Sequence, residues 1–209
     1  MPSLSILNEA VLDELRRSVA ARIGEYRLRH TLGVEQAIAS LGELYLPQKL
    51  VKLRVAALLH DITKEWTPEE QIAFCREKGI PLSPEEMAAP KILHAKTGAY
   101  VAQSDYPSLV DDEIADAIRE HTVAASEMPV FSALLYLADY IEPTRTYSDC
   151  VALRDAFYKG YSEKCKDTHL AMIMVRALQA SIDEVRDRGG VPLGVTLEAL
   201  AFFREKMKK

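Results

Sequence analysis

The stretch Val55-Ala56-Ala57-Leu58-Leu59-His60-Asp61 decides the fold, because it ends an apolar run with two ionisable side chains. Burying an ionisable group in such a run is costly unless a partner or a metal ion compensates it. Residues of the same two kinds surround this pair in a recognisable order, each in or beside an apolar helical pattern: His30, His94, His121 and Asp139. The six residues together predict one buried metal site in a helical protein.

Apolar residues recur at helical spacing along most of the chain, and no alternating strand pattern occurs. Segments 67–70 and 83–86 each combine an N-cap residue, a proline in the first turn and a capping-box glutamate, which is typical of helix starts. Pro143 is expected to end one helix and Gly189-Gly190 to separate the last two. We predict helices over about 11–23, 26–44, 48–60, 111–121, 130–141 and 162–186, and a final helix from 196 onward. Two further helices start at 67–70 and 83–86, and another after Pro90 carries His94, Gly98 and Val101.

The composition bounds the class of protein. A length of 209 residues with 48% apolar residues allows a sizeable core, and one all-α domain over 1–209 is the simplest division. The net charge of -5 argues against a general nucleic-acid-binding surface, so local cations or a metal must hold any phosphate-bearing ligand. Three cysteines without close spacing predict no disulfide framework.

The chain is expected to lie in the cytoplasm. Residues 1–10 lack the basic start and apolar core of a signal peptide, and no stretch approaches the roughly 20 apolar residues that span a bilayer. We therefore predict no contact with membranes. A homodimer is predicted only because symmetric dimers are the commonest assemblies.

The residue types limit the metal. Imidazole and carboxylate without thiolate favour iron, manganese or a similar ion, with zinc as an alternative and magnesium less favoured. A carboxylate can bridge two ions, so we assign His30, His60, Asp61 and Asp139 to one metal and Asp61, His94 and His121 to a second. Two ions roughly 3.5–4 Å apart that share a hydroxide suit the hydrolysis of phosphate esters and phosphoanhydrides.

Each of these residues also has an ordinary structural interpretation. A His-Asp dipeptide occurs by chance in many proteins, His30 could be an ordinary helix residue, and Asp139 could pair in a buried salt bridge. His121 could cap the negative end of a helix dipole. The joint order of the six favours the metal site, whereas His169 lies outside that order and is expected to be a surface or packing residue.

At these residues the chain resembles the HD-domain metal-dependent phosphohydrolases, and within them the YqeK-type symmetrical bis(5'-nucleosyl)-tetraphosphatases of bacteria. The resemblance covers about 20–190, a single helical HD-domain bundle, and leaves a helical extension of about 191–209 unexplained. The matching stretches are Arg29-His30-Thr31-Leu32-Gly33-Val34, Leu58-Leu59-His60-Asp61-Ile62-Thr63-Lys64-Glu65, Gly79-Ile80-Pro81-Leu82, Leu93-His94-Ala95 with Gly98-Ala99, Ile118-Arg119-Glu120-His121-Thr122, and Tyr136-Leu137-Ala138-Asp139-Tyr140-Ile141-Glu142-Pro143-Thr144-Arg145.

The resemblance implies that the substrate is a dinucleoside polyphosphate of the diadenosine tetraphosphate type, cut into two ADP, with iron as the native metal. It also implies a glycine soon after Thr122, where this chain has Val123-Ala124-Ala125-Ser126. A tetraphosphate needs cations, and Lys64 and Arg145 are our first candidates for phosphate contact and catalysis beside Asp61. Weaker candidates are Arg27, Arg29, Lys91 and Lys96.

Two other functions fit the same residues. A nucleotidase or a cyclic-nucleotide phosphodiesterase could use the same centre, and substrate profiling would separate these enzymes. A regulatory HD module that binds a nucleotide or metal without catalysis is a different class. The intact set of ligands argues against the regulatory module, because a site that has lost its activity usually loses ligands.

Overall fold

The computed structural model describes residues 8–208. Residues 1–7 and 209 lie outside the described part of the chain. Residues 1–7 are most of the segment in which we expect no signal peptide, and 209 is the last residue of the predicted domain. Within that part, no helix is both long and apolar enough to cross a membrane.

All regular secondary structure in the described chain is helical, with no strand between residues 8 and 208, which confirms the predicted all-α class. Short 3-10 turns precede α3, α6 and α10. The helices are α1 (Glu9–Ala20), α2 (Glu25–Tyr45), α3 (Leu50–Leu59), α4 (Pro68–Glu77), α5 (Pro84–Ala88), α6 (His94–Asp105), α7 (Asp112–Glu120), α8 (Val130–Ile141), α9 (Ser148–Gly160), α10 (Lys166–Asp187) and α11 (Gly194–Lys206).

Local signals set the starts of α4 and α5 where the sequence predicts them. Thr67 and Ser83 each form a complete capping box, in which the cap hydroxyl accepts from the third helical amide and the glutamate carboxylate accepts from the cap amide. Each box satisfies two backbone donors that would otherwise lack partners at a helix end.

Our sequence interpretation was wrong to predict no helix between 141 and 162, because α9 lies there. Only Cys150, Leu153 and Phe157 of its thirteen residues are buried, so its apolar pattern is sparse. The side chain of its N-cap residue, Tyr147, makes no capping hydrogen bond. The helix is therefore stabilised by packing against α8 and α10 rather than by local signals.

The core is built around α8, which is buried along Phe131–Ala138 and packs against α2, α3, α7 and α9. One contiguous apolar cluster extends from Leu12 in α1 to Phe203 in α11. The last helix contributes to that cluster by packing along α10. The division into one domain over 1–209 stays a prediction.

Candidate metal centre

The structure brings all six predicted ligand residues together. His60 caps the C-terminal end of α3 and Asp61 follows it, while His121 caps the C-terminal end of α7. His30 lies in α2, His94 is the first residue of α6, and Asp139 lies in α8. Five of the six are buried, and the Asp139 side chain is 23% exposed, so the cluster opens to solvent on the Asp139 side.

Asp61 lies at the middle of the cluster and directs its two oxygens at two different pairs of histidines. Its Oδ2 lies 3.7 Å from Nε2 of His30 and 3.6 Å from Nε2 of His60. Its Oδ1 lies 3.3 Å from Nε2 of His94 and 3.6 Å from Nε2 of His121. Because each carboxylate oxygen faces its own pair of nitrogens, the side chain has the geometry of a bridging ligand.

Two groups of ligand atoms are close enough to share one ion, with every pair of atoms within 4.8 Å. One group is His30, His60 and Asp139, and the other is His60, Asp61 and His121. His60 thus belongs to both groups. The Nε2 atom of His94 completes the second region, 3.1 Å from Nε2 of His121. The assignment of each residue to a particular ion stays a prediction.

All four histidines are oriented in the same way, with Nδ1 held outside and Nε2 directed inward. Nδ1 of His60 lies 2.6 Å from the Ala57 carbonyl, and Nδ1 of His121 lies 2.6 Å from the Ile118 carbonyl. In His94 and His30, Nδ1 lies 2.8 Å from the Lys91 carbonyl and 3.2 Å from Glu142 Oε1, respectively. Oxygen acceptors at Nδ1 place the proton there and leave the Nε2 lone pairs available to a metal.

The unsatisfied atoms at the centre fit a metal ion. Among the described residues, Nε2 of His30, Nε2 of His60 and Oδ1 of Asp61 are buried without a hydrogen-bond partner. Such orphaned polar atoms are costly, and a cation between them removes that cost. Nitrogen and oxygen donors without thiolate are also the set that suits divalent first-row metals. The residues present therefore fit a metal centre.

The electrostatics of the cluster favour deprotonated ligands at most positions. Burial lowers the pKa of His60 to about 3. Burial would raise the pKa values of Asp61 and Asp139. The histidines His60, His121 and His94 nevertheless hold the pKa of Asp61 well below its usual range, and His30 and Arg145 do the same for Asp139. His30 differs, because its pKa rises to about 9: the carboxylates of Asp139 and Glu142 outweigh the effect of burial.

Three cations line the centre, including both first candidates for phosphate contact. Nη1 of Arg27 lies 2.7 Å from Asp61 Oδ2, and Nη2 of Arg145 lies 2.7 Å from Asp139 Oδ1. Nζ of Lys64 lies 3.0 Å from Nε2 of His94. Burial lowers the pKa of Lys64 despite the nearby carboxylates. Whether these cations bind phosphate stays a prediction.

The other candidate cations lie away from the ligand atoms. Nζ of Lys96 bonds to the Pro81 carbonyl at 2.9 Å and pairs with Glu86. The guanidinium of Arg29 is 69% exposed and lies 3.9 Å from Glu25, while Lys91 is an exposed residue. These positions do not favour the predicted phosphate contacts of Lys91, Lys96 and Arg29.

Sequence reasoning missed Glu142, which it used only as the end of α8. Its side chain is buried, accepts from the Thr144 amide at 2.6 Å and the Thr144 hydroxyl at 2.6 Å, and lies against Nδ1 of His30. The carboxylate fills the space beside Gly33, where a Cβ would come within 2.3 Å of its Oε2. Glu142 belongs to the quoted stretch from Tyr136 to Arg145, but nothing in the sequence shows its contact with His30.

Arg154 was also missed, since it lies in the helix that the sequence did not reveal. Its guanidinium donates to the carbonyls of Ile141 at 2.7 Å, Glu142 at 2.5 Å and Arg145 at 2.8 Å. One side chain from α9 thus fixes the backbone of the loop that carries Glu142 and Arg145. Arg154 contacts no predicted metal ligand and acts as a positioning residue.

The loop after His121 contains the backbone conformation for which the family resemblance implies a glycine. Ala124 has φ 66, in the left-handed region that glycine adopts without strain, and it is the one residue other than glycine with positive φ in the described chain. The chain therefore keeps this turn, and the Cβ of Ala124 is strained there.

His169 is a packing residue: it is buried against Phe157, and its Nε2 lies 3.0 Å from the Phe157 carbonyl.

Comparisons with known proteins agree with this geometry. The HD domain family matches residues 27–144. A protein of Halalkalibacterium halodurans named symmetrical bis(5'-nucleosyl)-tetraphosphatase is 33% identical over 131 residues, which are 62% of this chain and 67% of the relative. A Bacillus subtilis protein of the same name is 32% identical over 65% of this chain and 71% of the relative.

A solved structure is similar over nearly the whole chain. It is a crystal structure of a predicted HD superfamily hydrolase involved in NAD metabolism from Clostridium acetobutylicum, with a TM-score of 0.80 and 28% sequence identity. The match covers 93% of this chain and 97% of that one.

Proposed function

The chain belongs to the HD domain family, and we propose that it is a metal-dependent hydrolase that cleaves diadenosine tetraphosphate symmetrically into two ADP. The observation that carries the proposal is the placement of Asp61, whose two oxygens face two separate pairs of histidine nitrogens. Relatives that are named for this activity, and that align with more than three-fifths of the chain, support the choice of substrate.

We propose that His30, His60, Asp61, His94, His121 and Asp139 hold two metal ions, with iron favoured and manganese or zinc as alternatives. When bound, such ions supply Lewis acidity for phosphoanhydride hydrolysis. Asp61 is the residue that both ions would share. The two histidines at helix ends, His60 and His121, are fixed by carbonyls of their own helices, so the ligand positions exist before metal arrives.

The cations bind and orient the substrate. Lys64 lies on the His94 side of the cluster, and Arg27 and Arg145 lie on the His30 side. A tetraphosphate that enters from the open side near Asp139 therefore meets positive charge on both sides of the ligands. Holding the two outer phosphates in this way places the middle anhydride linkage over the cluster, which decides which bond is cleaved.

The test is product analysis on metal-loaded protein. Early samples from diadenosine tetraphosphate should contain ADP as the only nucleotide product, and reaction in oxygen-18 water should label the terminal phosphate of one of the two ADP molecules. AMP and ATP in equal amounts would contradict symmetrical cleavage. Absence of turnover on any dinucleoside polyphosphate would favour a nucleotidase, a cyclic-nucleotide phosphodiesterase or a regulatory module.

A matched pair of variants tests the role of the cations. Lys64→Met should slow hydrolysis about tenfold or more through loss of a charge-assisted contact to phosphate, with metal content unchanged. Lys96→Met removes a lysine that the structure pairs with Glu86 instead, and its activity should stay near wild type. Equal effects of the two substitutions would contradict the placement of Lys64.

We further propose a cytoplasmic location. The described residues include the three cysteines, all of them as free thiols, with Cys75 and Cys150 buried and Cys165 exposed. Free thiols are the usual state in a reducing compartment. The homodimer stays a prediction.

A further inference from the structure

We propose that Tyr26 and Tyr147 are the two stacking platforms for the nucleobases at the ends of the substrate. The inference rests on the proposed function, because it assigns a binding role on each side of the same metal centre. Tyr26 is 77% exposed and Tyr147 is 68% exposed, the two highest values for aromatic side chains in the described chain.

Each of these tyrosines lies within two residues of an arginine of the centre. Arg27 follows Tyr26, its Cζ lies 6.0 Å from the centroid of the Tyr26 ring, and its Nη1 lies 2.7 Å from Asp61. Tyr147 is two residues beyond Arg145, which pairs with Asp139. The chain thus twice places an exposed ring within two residues of an arginine that pairs with a carboxylate of the cluster.

The two combinations flank one histidine. Nε2 of His30 lies 3.7 Å from Asp61 Oδ2 on the Arg27 side and 3.0 Å from Asp139 Oδ1 on the Arg145 side. A dinucleoside tetraphosphate has a base at each end and the charged bridge between them. Both arginines reach the cluster at its His30 end, and the two exposed rings that adjoin them in sequence match the two bases of the substrate in number.

Neither ring has a structural role that explains its position. Tyr147 is the N-cap residue of α9, a position where Ser, Thr, Asp or Asn stabilises a helix, and its side chain makes no capping bond. Tyr26 lies in the first turn of α2 with its ring outside the apolar cluster. Exposed aromatic rings beside arginines are the side chains on which nucleobases stack in nucleotide-binding proteins.

The test compares serine and phenylalanine at each position. Tyr26→Ser and Tyr147→Ser should each raise KM for diadenosine tetraphosphate, and weaken ADP binding measured by equilibrium dialysis, by about fivefold to a hundredfold, the range for loss of one stacked base. Tyr26→Phe and Tyr147→Phe keep the ring and should stay within about twofold of wild type. Metal content should be unchanged in all four variants.

Tyr158→Ser is the matched control, because Tyr158 is a half-exposed tyrosine of α9 that packs against Phe157 and not beside an arginine of the centre. Wild-type KM and ADP binding in both serine variants, with hydrolysis intact, would overturn the proposal. So would loss of metal in those variants, or an equal effect of Tyr158→Ser. If the wild-type protein cleaves no dinucleoside polyphosphate, the proposed function fails, and the ADP-binding comparison alone then decides whether the tyrosines hold bases.

Discussion

Gly33→Ala should damage the metal centre although Gly33 contacts no ion-binding atom. An alanine Cβ at this position would lie 2.3 Å from Oε2 and 3.1 Å from Cδ of Glu142, so the carboxylate must move. Glu142 is held by Nδ1 of His30 at 3.2 Å and by the amide and hydroxyl of Thr144, each at 2.6 Å. Displacement of the carboxylate breaks the bond to His30 and at least one of the bonds to Thr144, which releases the orientation of His30.

The magnitude follows from opposing effects. Replacing glycine by alanine inside a helix stabilises the folded state by about 1 kcal/mol. A hydrogen bond to a charged group contributes about 1.5–3 kcal/mol, so the loss of two such bonds costs at least about 3 kcal/mol. The net result is a decrease of about 2 kcal/mol in the free energy of unfolding. Loss of the partner that orients a metal-binding histidine should also weaken metal binding about tenfold to a hundredfold.

Gly42→Ala is the matched control in the same helix. Its Cβ would lie 2.8 Å from a methyl carbon of Leu53 and 2.9 Å from a methyl carbon of Leu50, the mobile ends of flexible side chains that can shift. Urea denaturation and a metal titration in competition with a chelator measure both variants. Stability and metal affinity in Gly33→Ala that equal those of Gly42→Ala would refute the reasoning on Glu142.

Four further outcomes are expected. Asp61→Ala should lose most bound metal in elemental analysis, because both oxygens face histidine pairs, whereas His169→Ala should keep it. Arg145→Lys should retain metal but lose activity, since lysine lacks the planar fork that binds two phosphate oxygens; full activity would contradict bidentate contact. In metal-free protein the pKa of His30 near 9 lies above the unfolded value of about 6.5, so the stability it provides is complete below about pH 6.5 and lost as the pH rises towards 9; chemical denaturation at pH 6.5 and 9 measures the difference, and equal stability would be the contrary result. Arg154→Met should lower the free energy of unfolding by about 2 kcal/mol and raise KM, with Arg154→Lys recovering little because one ammonium cannot reach three carbonyls in the same geometry; a change in stability without a change in KM would make Arg154 purely structural.

The ligand cluster could be predicted from the sequence because its six members occur in a recognisable order, each in or beside an apolar helical pattern. His60 and Asp61 end an apolar run, and His94, His121 and Asp139 lie in helices whose buried faces the sequence shows. Ionisable residues on such faces are rare enough to stand out. The order of these residues was therefore informative before their distances were known.

The supporting residues could not be predicted, because their roles depend on tertiary contacts. Glu142 is ordinary in sequence, and its function becomes visible only when α8 ends beside Gly33 of α2. Arg154 lies in a helix whose burial is limited to a few positions, so no local pattern announced it. The different roles of Lys64 and Lys96 also depend on tertiary contacts: Lys64 contacts His94 of the cluster, whereas Lys96 contacts the Pro81 carbonyl. Sequence spacing alone does not show this difference.

The central claim is that the six residues around Asp61 form a two-metal centre, and elemental analysis of protein purified without chelator and reconstituted with iron or manganese tests it most directly. The arrangement of two histidine pairs on the two oxygens of Asp61 predicts two ions per chain. A stoichiometry that never exceeds one ion per chain after reconstitution with either metal would contradict it.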